Sequence, residues 1–477
     1  AYEKVLADVI ARYHRLKGDK VFFLTGVDQH GQKVQQSAAK EGVSPAKFVK
    51  GITQKFVDLW GRLDVKYSGW AETTNERHKR VVQKILQRLF EQGQIYKDKQ
   101  AGYYSVRQEQ FLTDRERGSG GEFGPEWGQV EFREEENYYF KLGQYKDWLL
   151  GYLKEHSDCV TPSFRQTELI NAVEKISSDL CISRPKSRLD WGIELPFDKD
   201  FVTYVWFDAL TNYISFIDYE PAISTFNLQS SSFRDKWPAL QIIGKDILIP
   251  AHGIYWLIML KALDFPDETI PKFLVHGWWN LGGAKMSKSA GNIIDPFVLT
   301  DKYGAEALRY YLMTDIAMGQ DADFSEERLV LRYNTNLANS LGNLLNRALS
   351  MAWKYRDGRI RKRSVEEWGE PLDLSEDAPL GIRIFDPAEA VPMETGSLNL
   401  GDLRNQFKDL VKSYHAMMAN SEISAALYSV FALVTFCNQA VDKDAPWTIA
   451  KSKSEMAEKQ LDAVFSYLMD ALRIIAI

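Results

Sequence analysis

Cysteine is scarce in this 477-residue sequence, which has only Cys159, Cys181 and Cys437. Because the three are isolated, they exclude a disulfide framework and a paired-cysteine zinc site. The sequence also lacks apolar stretches longer than a strand, and its mean hydropathy of -0.32 leaves no room for a transmembrane helix. No charged-then-apolar leader opens the chain. We therefore expect a soluble protein of a reducing compartment, the cytoplasm or an organelle matrix, with no membrane partner.

The sequence also lacks an excess of positive charge, since it has 59 Lys and Arg against 65 Asp and Glu and a net charge of -6. This balance argues against a broad electrostatic grip on nucleic acid but not against local basic patches. What the chain does have is 45% apolar residues and thirteen Trp, a globular composition that rules out a disordered or fibrous chain. Its length exceeds what one core normally serves, so we expect two or more domains.

The first 97 residues have the pattern of an α/β domain. Val5, Val9 and Tyr13 share one face of a helix predicted over 1–17, and a strand, Val21–Leu24, follows it directly. A helix that feeds a buried strand is the second half of a β-α-β unit, so we expect its opening strand to lie upstream of Ala1. We assign 1–97 to the first half of a doubly wound, Rossmann-like parallel sheet.

The rest of the chain divides by changes in pattern. Short strands and amphipathic helices over 98–190 predict an α+β domain inserted into the sheet domain, which resumes over 191–280. Its strands are predicted at Phe201–Phe207, Leu240–Ile243 and Phe273–Val275, with a helix over His252–Leu263. A loop and linker region follows at 281–325. Helical patterns then predict an all-α bundle over 326–477, interrupted by a Pro-, Gly- and Glu-rich stretch at 366–400.

Two polar groups follow predicted parallel strands, where open α/β sheets bind ligands. The first is Asp28, which stands with His30 and Gly31 and has a carboxylate that can hold a cationic group such as an α-ammonium. An Asp that caps the next helix explains the residue equally well. The second is Gly244-Lys245-Asp246, where the glycine permits close backbone approach and the Asp can bind ribose hydroxyls. Taken alone, this second signal is weak.

The third feature is Lys285-Met286-Ser287-Lys288-Ser289, a loop flanked by glycines. Two lysines and two hydroxyls on such a loop can close over a polyphosphate and neutralise the charge on a departing pyrophosphate. A solvated Lys/Ser loop is the alternative for a short basic segment. Its position after the last sheet strand favours the phosphate interpretation.

Aromatic residues occur near a second strand end. Trp206 and Tyr213 lie seven residues apart, and His252 opens the helix that contains Trp256. Such residues form either the protein core or the wall of an apolar substrate pocket, and the residues alone favour core.

The motif Lys285–Ser289 is typical of class I aminoacyl-tRNA synthetases. The other segments of the chain resemble those of the methionyl-tRNA synthetases within that class. The resemblance covers essentially the whole chain in the right order. The segments that carry it are Ala1–Arg15, Gly26–Gly31, Trp191–Tyr213, Ile243–Trp256, His276–Pro296 and Ala445-Pro446-Trp447.

The resemblance implies a role for individual residues. Asp28 matches the carboxylate that receives the methionine ammonium, and Lys288 matches the catalytic loop lysine, with Lys285 as its partner. The wall of the methionine pocket corresponds to Trp206, Ala209, Tyr213 and His252, with Leu210 beside them. The ATP-binding positions correspond to Glu3, Glu194, Gly244 and Asp246, besides the two lysines. Asn343, Arg347 and Trp447 match the residues that read the CAU anticodon, which the residues alone would assign to a helix surface and a packed aromatic.

The sequence departs from the family pattern in three places. The His-x-Gly-His sequence that precedes the first helix in the family is not present, so we expect upstream residues in the native protein. No cysteine pairs occur within 98–190, so we expect no zinc knuckle and no metal site. The segment Asp246–His252 is one residue longer than usual, which makes His252 the least secure of the pocket residues.

The resemblance implies a methionine–tRNA ligase that uses ATP with Mg²⁺ as substrate and acts as a monomer or homodimer. Methionine and ATP would form methionyl-adenylate and pyrophosphate, and the methionyl group would pass to the 3′ adenosine of tRNA-Met. The alternative is a tRNA-binding protein that has lost catalysis. A dinucleotide-dependent oxidoreductase is disfavoured, since no Gly-x-Gly-x-x-Gly follows a strand.

Overall fold

The computed structural model describes residues 1–105, 110–112, 117–118, 120–221, 229–286, 294–360 and 400–476. The chain divides into two units, each built from more than one segment. The first comprises Ala1–Val21, Arg62–Asp64 and Gly277–Ile477, and the second comprises Phe22–Gly61 and Val65–His276.

Parallel strand pairs form the centre of the second unit. Leu24–Val27 pairs with Gly69–Glu72, and Leu240–Gly244 pairs with Lys272–His276. A Cβ on Gly26 would lie 2.0 Å from the carbonyl oxygen of Ala71, so only glycine allows the first pair to approach this closely.

The third parallel strand comes from an unexpected place. Val160–Thr161 pairs in parallel with Lys272–His276, although it lies within the segment 98–190 that we expected to be an insertion. Most of that segment does have the expected α+β character. The antiparallel pair Ile95–Ser105 and Val130–Phe140 is its main feature, and Gln110–Leu112 and Leu180–Cys181 complete a four-stranded sheet.

The predicted strand Phe201–Phe207 is wrong in its second half and in its partners. The strand is Asp198–Thr203, which pairs antiparallel with Ser183–Pro185 and Glu194–Leu195 rather than joining the parallel sheet. A helix, Val205–Ser215, begins two residues later. The reason is visible in the spacing, because Trp206, Leu210 and Tyr213 recur with the helical period rather than alternating. The first predicted strand is also displaced, from Val21–Leu24 to Leu24–Val27.

Helices cover the parallel strands and supply much of the core. In Glu76–Glu91, for example, the buried residues Val82, Ile85 and Leu89 recur every three or four positions and join the main apolar cluster. The helices of the second unit are Gln32–Lys40, Pro45–Arg62, Glu76–Glu91, Lys146–Glu155, Ser163–Val173, Val205–Ser215, Ser231–Arg234, Lys245–Ile247, the π-helix Leu248–Trp256 and Leu257–Ala262, with 3₁₀ turns at Pro125–Trp127, Leu142–Tyr145 and Asp267–Thr269.

The first unit is mainly helical, as expected for its carboxyl-terminal part. Its strands are short: Trp279–Leu281 pairs with Ala284–Lys285 and with Ala322–Asp323. Its helices are Tyr2–Leu16, Pro296–Tyr303, Ala305–Thr314, Glu326–Arg332, the π-helix Tyr333–Gly342, Asn343–Arg356, Leu400–Ala419, Ile423–Asp444, Pro446–Ile449 and Glu455–Ala476.

One helical stretch, Ile423–Ile449, is long and apolar enough to cross a membrane by length and composition, contrary to our expectation. Its apolarity has a packing role in the bundle. Leu433, Val434 and Val441 are buried in a cluster with residues of the helices Asn343–Arg356 and Glu455–Ala476. A helix that supplies a bundle core needs such a composition without any membrane.

A buried ion cluster ties the first helix to the rest of its unit. The carboxylate of Asp8, whose side chain is 0% exposed, accepts hydrogen bonds from Arg12 Nε at 2.7 Å and Arg309 Nη2 at 2.6 Å. Arg309 also donates to the carbonyl of Leu63 at 2.9 Å. Asp8 and Arg309 together therefore link three segments that are distant in sequence.

Replacement of that carboxylate is expected to destabilise the first unit. Asp8→Asn should lower the free energy of unfolding by about 3 kcal/mol, since the well-buried guanidinium of Arg309 loses its carboxylate partner, whereas Arg12 keeps a second one in Asp64. Urea unfolding followed by circular dichroism measures the change. Asp19→Asn is the control, because Asp19 pairs with His14 at the surface. An equal loss in both variants would contradict the structural role of the cluster.

Candidate active site

The carboxylate of Asp28 lies directly after the strand Leu24–Val27, as the sequence predicts. It is exposed and accepts a hydrogen bond from Asn212 Nδ2 at 3.3 Å. The following residue anchors the loop, since the Gln29 amide donates to Thr73 Oγ1 at 2.9 Å. The Trp191 indole N–H in turn donates to the Gln29 carbonyl at 2.7 Å. An anionic group is thus held at a strand end, beside the helix Val205–Ser215.

That helix, which we call the pocket helix, carries most of the predicted side-chain wall. Trp206, Ala209, Leu210 and Tyr213 recur at intervals of three or four residues and therefore share one face. Ala209 and Leu210 are buried, whereas the rings of Trp206 and Tyr213 are only partly covered. Partly covered aromatic rings on a buried apolar base can line a pocket for an apolar side chain.

His252 is brought to the same wall. Its ring lies 5.6 Å from the Tyr213 ring and 6.3 Å from the Trp206 ring, both edge to face. Its Nε2 is 2.8 Å from the Tyr213 hydroxyl, and its Nδ1 is 2.9 Å from the Ile247 carbonyl. The segment Asp246–His252, which we expect to be one residue longer than is usual in the family, includes the start of the π-helix Leu248–Trp256, which contains one non-helical residue, Ile249. Wider turns accommodate an additional residue without displacing the histidine from its neighbours.

The hydrogen bonds also define the tautomer of His252. A carbonyl can only accept, so Nδ1 carries the proton that it donates to Ile247, and in the neutral ring Nε2 must accept from the Tyr213 O–H. The two rings are thereby locked together at the wall.

A second polar group, which the sequence reasoning missed, lies buried behind the pocket helix. Asp208 accepts hydrogen bonds from His30 Nδ1 and His78 Nε2, both at 2.6 Å, and Ser215 Oγ lies 2.8 Å from His78 Nδ1. A signal was available, since Asp208, Asn212 and Ser215 recur at helical spacing in an otherwise apolar segment.

The charge of this buried carboxylate is stabilised by hydrogen bonds from the two imidazoles. Burial raises the pKa of Asp208, but the hydrogen bonds from His30 and His78 outweigh it and hold the pKa below its ordinary value. The carboxylate is therefore ionised in the folded protein, inside an apolar environment.

The ATP-binding residues predicted in the second unit stand at two places. Gly244 ends the strand Leu240–Gly244, and a Cβ there would lie 2.7 Å from Asp246 Oδ1. Asp246 is exposed in the short helix that follows. Glu194 is exposed and bonds to Lys186 Nζ at 2.6 Å, and this hydrogen bond holds the pKa of Glu194 below its usual value. Gly244 and Asp246 therefore lie at the end of a strand, and Glu194 forms a salt bridge with Lys186.

The remaining predicted residues of the reaction site belong to the first unit. Glu3 lies in the first turn of the helix Tyr2–Leu16 and pairs with Lys4 at 2.5 Å. Lys285 ends the short strand Ala284–Lys285, whose partner is Trp279–Leu281. Lys288 lies outside the described residues.

The three predicted anticodon residues are in the helical bundle. Asn343, the first residue of Asn343–Arg356, is exposed, and Arg347 one turn later bonds to Asp442 Oδ1 at 2.5 Å. Asp442 stands near the end of Ile423–Asp444, and Trp447 follows in the short helix Pro446–Ile449 with 39% of its surface exposed. The Arg347 contact therefore brings the helix that carries Asn343 to the helix end that leads into Trp447.

Metal-binding groups do not cluster in the described part of the chain. No set of three or more His, Cys, Asp and Glu residues there has an arrangement that could hold a metal ion. Burial raises the pKa of the Cys159 and Cys437 thiols to about 12, so neither is a ready thiolate ligand.

Known proteins resemble the chain over its whole length. The family model described as tRNA synthetases class I (M) matches residues 1–121 and 127–349. The methionine–tRNA ligase of Listeria monocytogenes serotype 4b (strain F2365) is 39% identical over 490 residues, which cover 100% of this chain and 67% of that protein. That of Bacillus subtilis (strain 168) is 38% identical over 492 residues, with the same coverage of both chains.

Solved structures give the same result. Mycobacterium tuberculosis methionyl-tRNA synthetase bound by methionyl-adenylate has a TM-score of 0.85 at 32% identity and covers 100% of this chain and 86% of its own. The apo form of that enzyme has a TM-score of 0.78 at 29% identity, covering 100% of this chain and 84% of its own. These likenesses confirm the predicted Rossmann-like fold class and the predicted resemblance. The chain therefore belongs to the methionyl-tRNA synthetases of class I, and it is a ligase.

Proposed function

We propose that this chain joins methionine to tRNA-Met in two steps, with the residues predicted from its sequence. Methionine carboxylate attacks the α-phosphate of ATP and gives methionyl-adenylate and pyrophosphate. The 3′-terminal adenosine hydroxyl of the tRNA then takes the methionyl group and releases AMP. The single observation that carries the proposal is the placement of Asp28 beside the pocket helix, through Asn212, with the aromatic wall on that same helix.

The amino acid is held by two chemistries in this proposal. The exposed carboxylate of Asp28 receives the α-ammonium, and Trp206, Tyr213 and His252 enclose the thioether side chain with Ala209 and Leu210 at its base. A methylene is worth only about 1–3 kcal/mol in such a pocket, so near-isosteres such as norleucine are expected to be rejected imperfectly.

ATP is bound in this proposal by the strand-end group Gly244 and Asp246, together with Glu3 and Glu194. Lys288, supported by Lys285, places positive charge on the departing pyrophosphate. The Mg²⁺ that accompanies ATP finds no cluster of protein ligands among the described residues. Mg²⁺ is commonly held by substrate phosphates, and no step is assigned to it here.

Recognition of tRNA is proposed for the helical bundle. Arg347 and Asn343 present hydrogen-bonding groups on one helix face, and the partly exposed ring of Trp447 offers a surface on which an unstacked base can lie. The cellular location that we propose for the protein is the cytoplasm, where tRNA, ATP and methionine occur together.

Methionine-dependent exchange of pyrophosphate into ATP tests the first step, and charging of tRNA-Met transcripts tests the second. Exchange that requires methionine and is not supported by leucine or isoleucine is the expected result. Binding of tRNA-Met without any exchange would instead favour a tRNA-binding protein that has lost catalysis.

Removal of the loop ammonium is expected to separate binding from chemistry. Lys288→Ala should leave the dissociation constant of methionine within about twofold of wild type, because the lysine acts on phosphates alone. Adenylate formation should fall by about a hundredfold or more, since charge on the departing pyrophosphate is no longer countered. Equilibrium dialysis and pyrophosphate exchange measure the two quantities. An exchange rate within a few-fold of wild type would defeat this assignment.

Removal of the bundle ring is expected to have the converse effect. Trp447→Ala should preserve pyrophosphate exchange and lower kcat/KM for tRNA charging by about tenfold or more, since base stacking is worth roughly 1–3 kcal/mol. Trp353→Ala is the matched control, because Trp353 is also exposed but lies ten residues beyond Asn343 in its helix. Equal losses in exchange and charging would count against an anticodon role for Trp447.

A further inference from the structure

The buried group formed by Asp208, His30 and His78 has no place in the two-step reaction. It nevertheless joins three elements of the second unit. His30 belongs to the loop that carries Asp28, His78 belongs to the helix Glu76–Glu91, and Asp208 belongs to the pocket helix. All three side chains are at least 96% buried.

The positions of the imidazole protons in this group follow from the nature of their acceptor, the Asp208 carboxylate. An ionised carboxylate only accepts, so His30 Nδ1 and His78 Nε2 each carry the proton that they donate to Asp208. The other nitrogen of His78, Nδ1, lies 2.8 Å from the Ser215 hydroxyl. Two charge-assisted hydrogen bonds at 2.6 Å in an apolar environment make a stiff connection.

The pocket helix thus has two working faces. Its wall face presents Trp206 and Tyr213, and its polar face presents Asp208, Asn212 and Ser215 at intervals of four and three residues. The polar face contacts the Asp28 loop twice, through Asn212 to Asp28 and through Asp208 to His30. One rigid helix therefore relates the carboxylate for the α-ammonium to the wall for the side chain.

We propose that Asp208 is a positioning residue for the amino acid: by holding His30, it keeps the Asp28 carboxylate at the correct distance from the aromatic wall. This inference rests on the proposed function and deepens it. Asparagine in place of Asp208 would keep the shape but present an N–H₂ group to one imidazole N–H, so one of the two hydrogen bonds to the histidines would be lost unless that ring changed tautomer.

Binding of L-methionine, measured by equilibrium dialysis with the full chain, tests the proposal. Asp208→Asn should raise the dissociation constant of L-methionine by about tenfold or more, as expected for a lost hydrogen bond to a charged group. The competitor 4-(methylthio)butanoate has the same thioether chain but no ammonium, so its inhibition constant should change by less than about twofold. A general loss of fold would weaken both ligands alike.

A double-mutant cycle with Asp28→Asn tests whether Asp208 acts through Asp28. If it does, Asp28→Asn/Asp208→Asn should bind L-methionine within about twofold of Asp28→Asn alone, because the group to be positioned is already gone. Multiplicative losses would overturn the proposal. So would L-methionine binding by Asp208→Asn that equals wild type.

A milder variant keeps the proposal testable where Asp208→Asn does not fold. Asn212→Ala removes only the partly buried donor to Asp28, and it should show the same dependence on the ammonium and the same non-additivity with Asp28→Asn. The matched control is Asp8→Asn, which also removes a buried carboxylate but in the first unit, and it should leave the ratio of the two affinities unchanged. A wild-type chain that does not bind L-methionine would overturn the proposed function itself, together with this inference.

Discussion

The period of one short helix constrains the whole of the proposed amino-acid site. The eleven residues Val205–Ser215 carry the aromatic rings of the proposed pocket on one face and hydrogen-bonding groups directed at a strand-end loop on another. At 3.6 residues per turn, positions 206, 210 and 213 fall on the first face and 208, 212 and 215 on the second. A one-residue insertion within this helix would rotate one set away from its partners, so the two functions cannot change independently.

The buried carboxylate behind the helix shows why such a site is costly and yet stable. An ionised group in an apolar interior is strongly disfavoured unless it is hydrogen-bonded there. Asp208 uses both of its oxygens on imidazole N–H groups, and this explains why its pKa falls despite complete burial. The same requirement makes the group specific, because no apolar residue of similar size could hold His30 and His78 in these orientations.

Sequence reasoning predicted the parts of this molecule that depend on local chemistry. The first helix, the strand end at Asp28 and the helical bundle follow from periodicity and turn residues, and the structure has all of them. Pairing partners were harder, because they depend on distant segments. The sequence of Val160–Thr161 does not indicate that this strand pairs with Lys272–His276, since two extended residues are too few to specify a pairing register.

In the candidate site, too, the local features were predictable from the sequence and the contacts between distant segments were not. Asp28 and the spacing of Trp206 and Tyr213 were visible in the sequence, but whether the rings belong to a core or a wall was left open by the residues. The helical spacing of Asp208, Asn212 and Ser215 indicates a polar helix face, but it does not show that the partners of Asp208 lie 178 and 130 residues away. Long-range hydrogen bonds decide such cases, and sequence spacing does not encode them.

The tautomer of His252 determines which polar groups the proposed pocket presents to a ligand. Because Nδ1–H donates to the Ile247 carbonyl, Nε2 of the neutral ring accepts a hydrogen bond from the Tyr213 hydroxyl, and that hydroxyl is no longer a donor directed at the proposed pocket. A thioether sulfur is only a weak acceptor, so little is lost by engaging the hydroxyl elsewhere. In the proposed site, the wall would therefore select chiefly through the shape and polarisability of Trp206, Tyr213 and His252. Selection by shape discriminates weakly between near-isosteres, so the proposed contact of Asp28 with the α-ammonium would add a second, distance-dependent criterion.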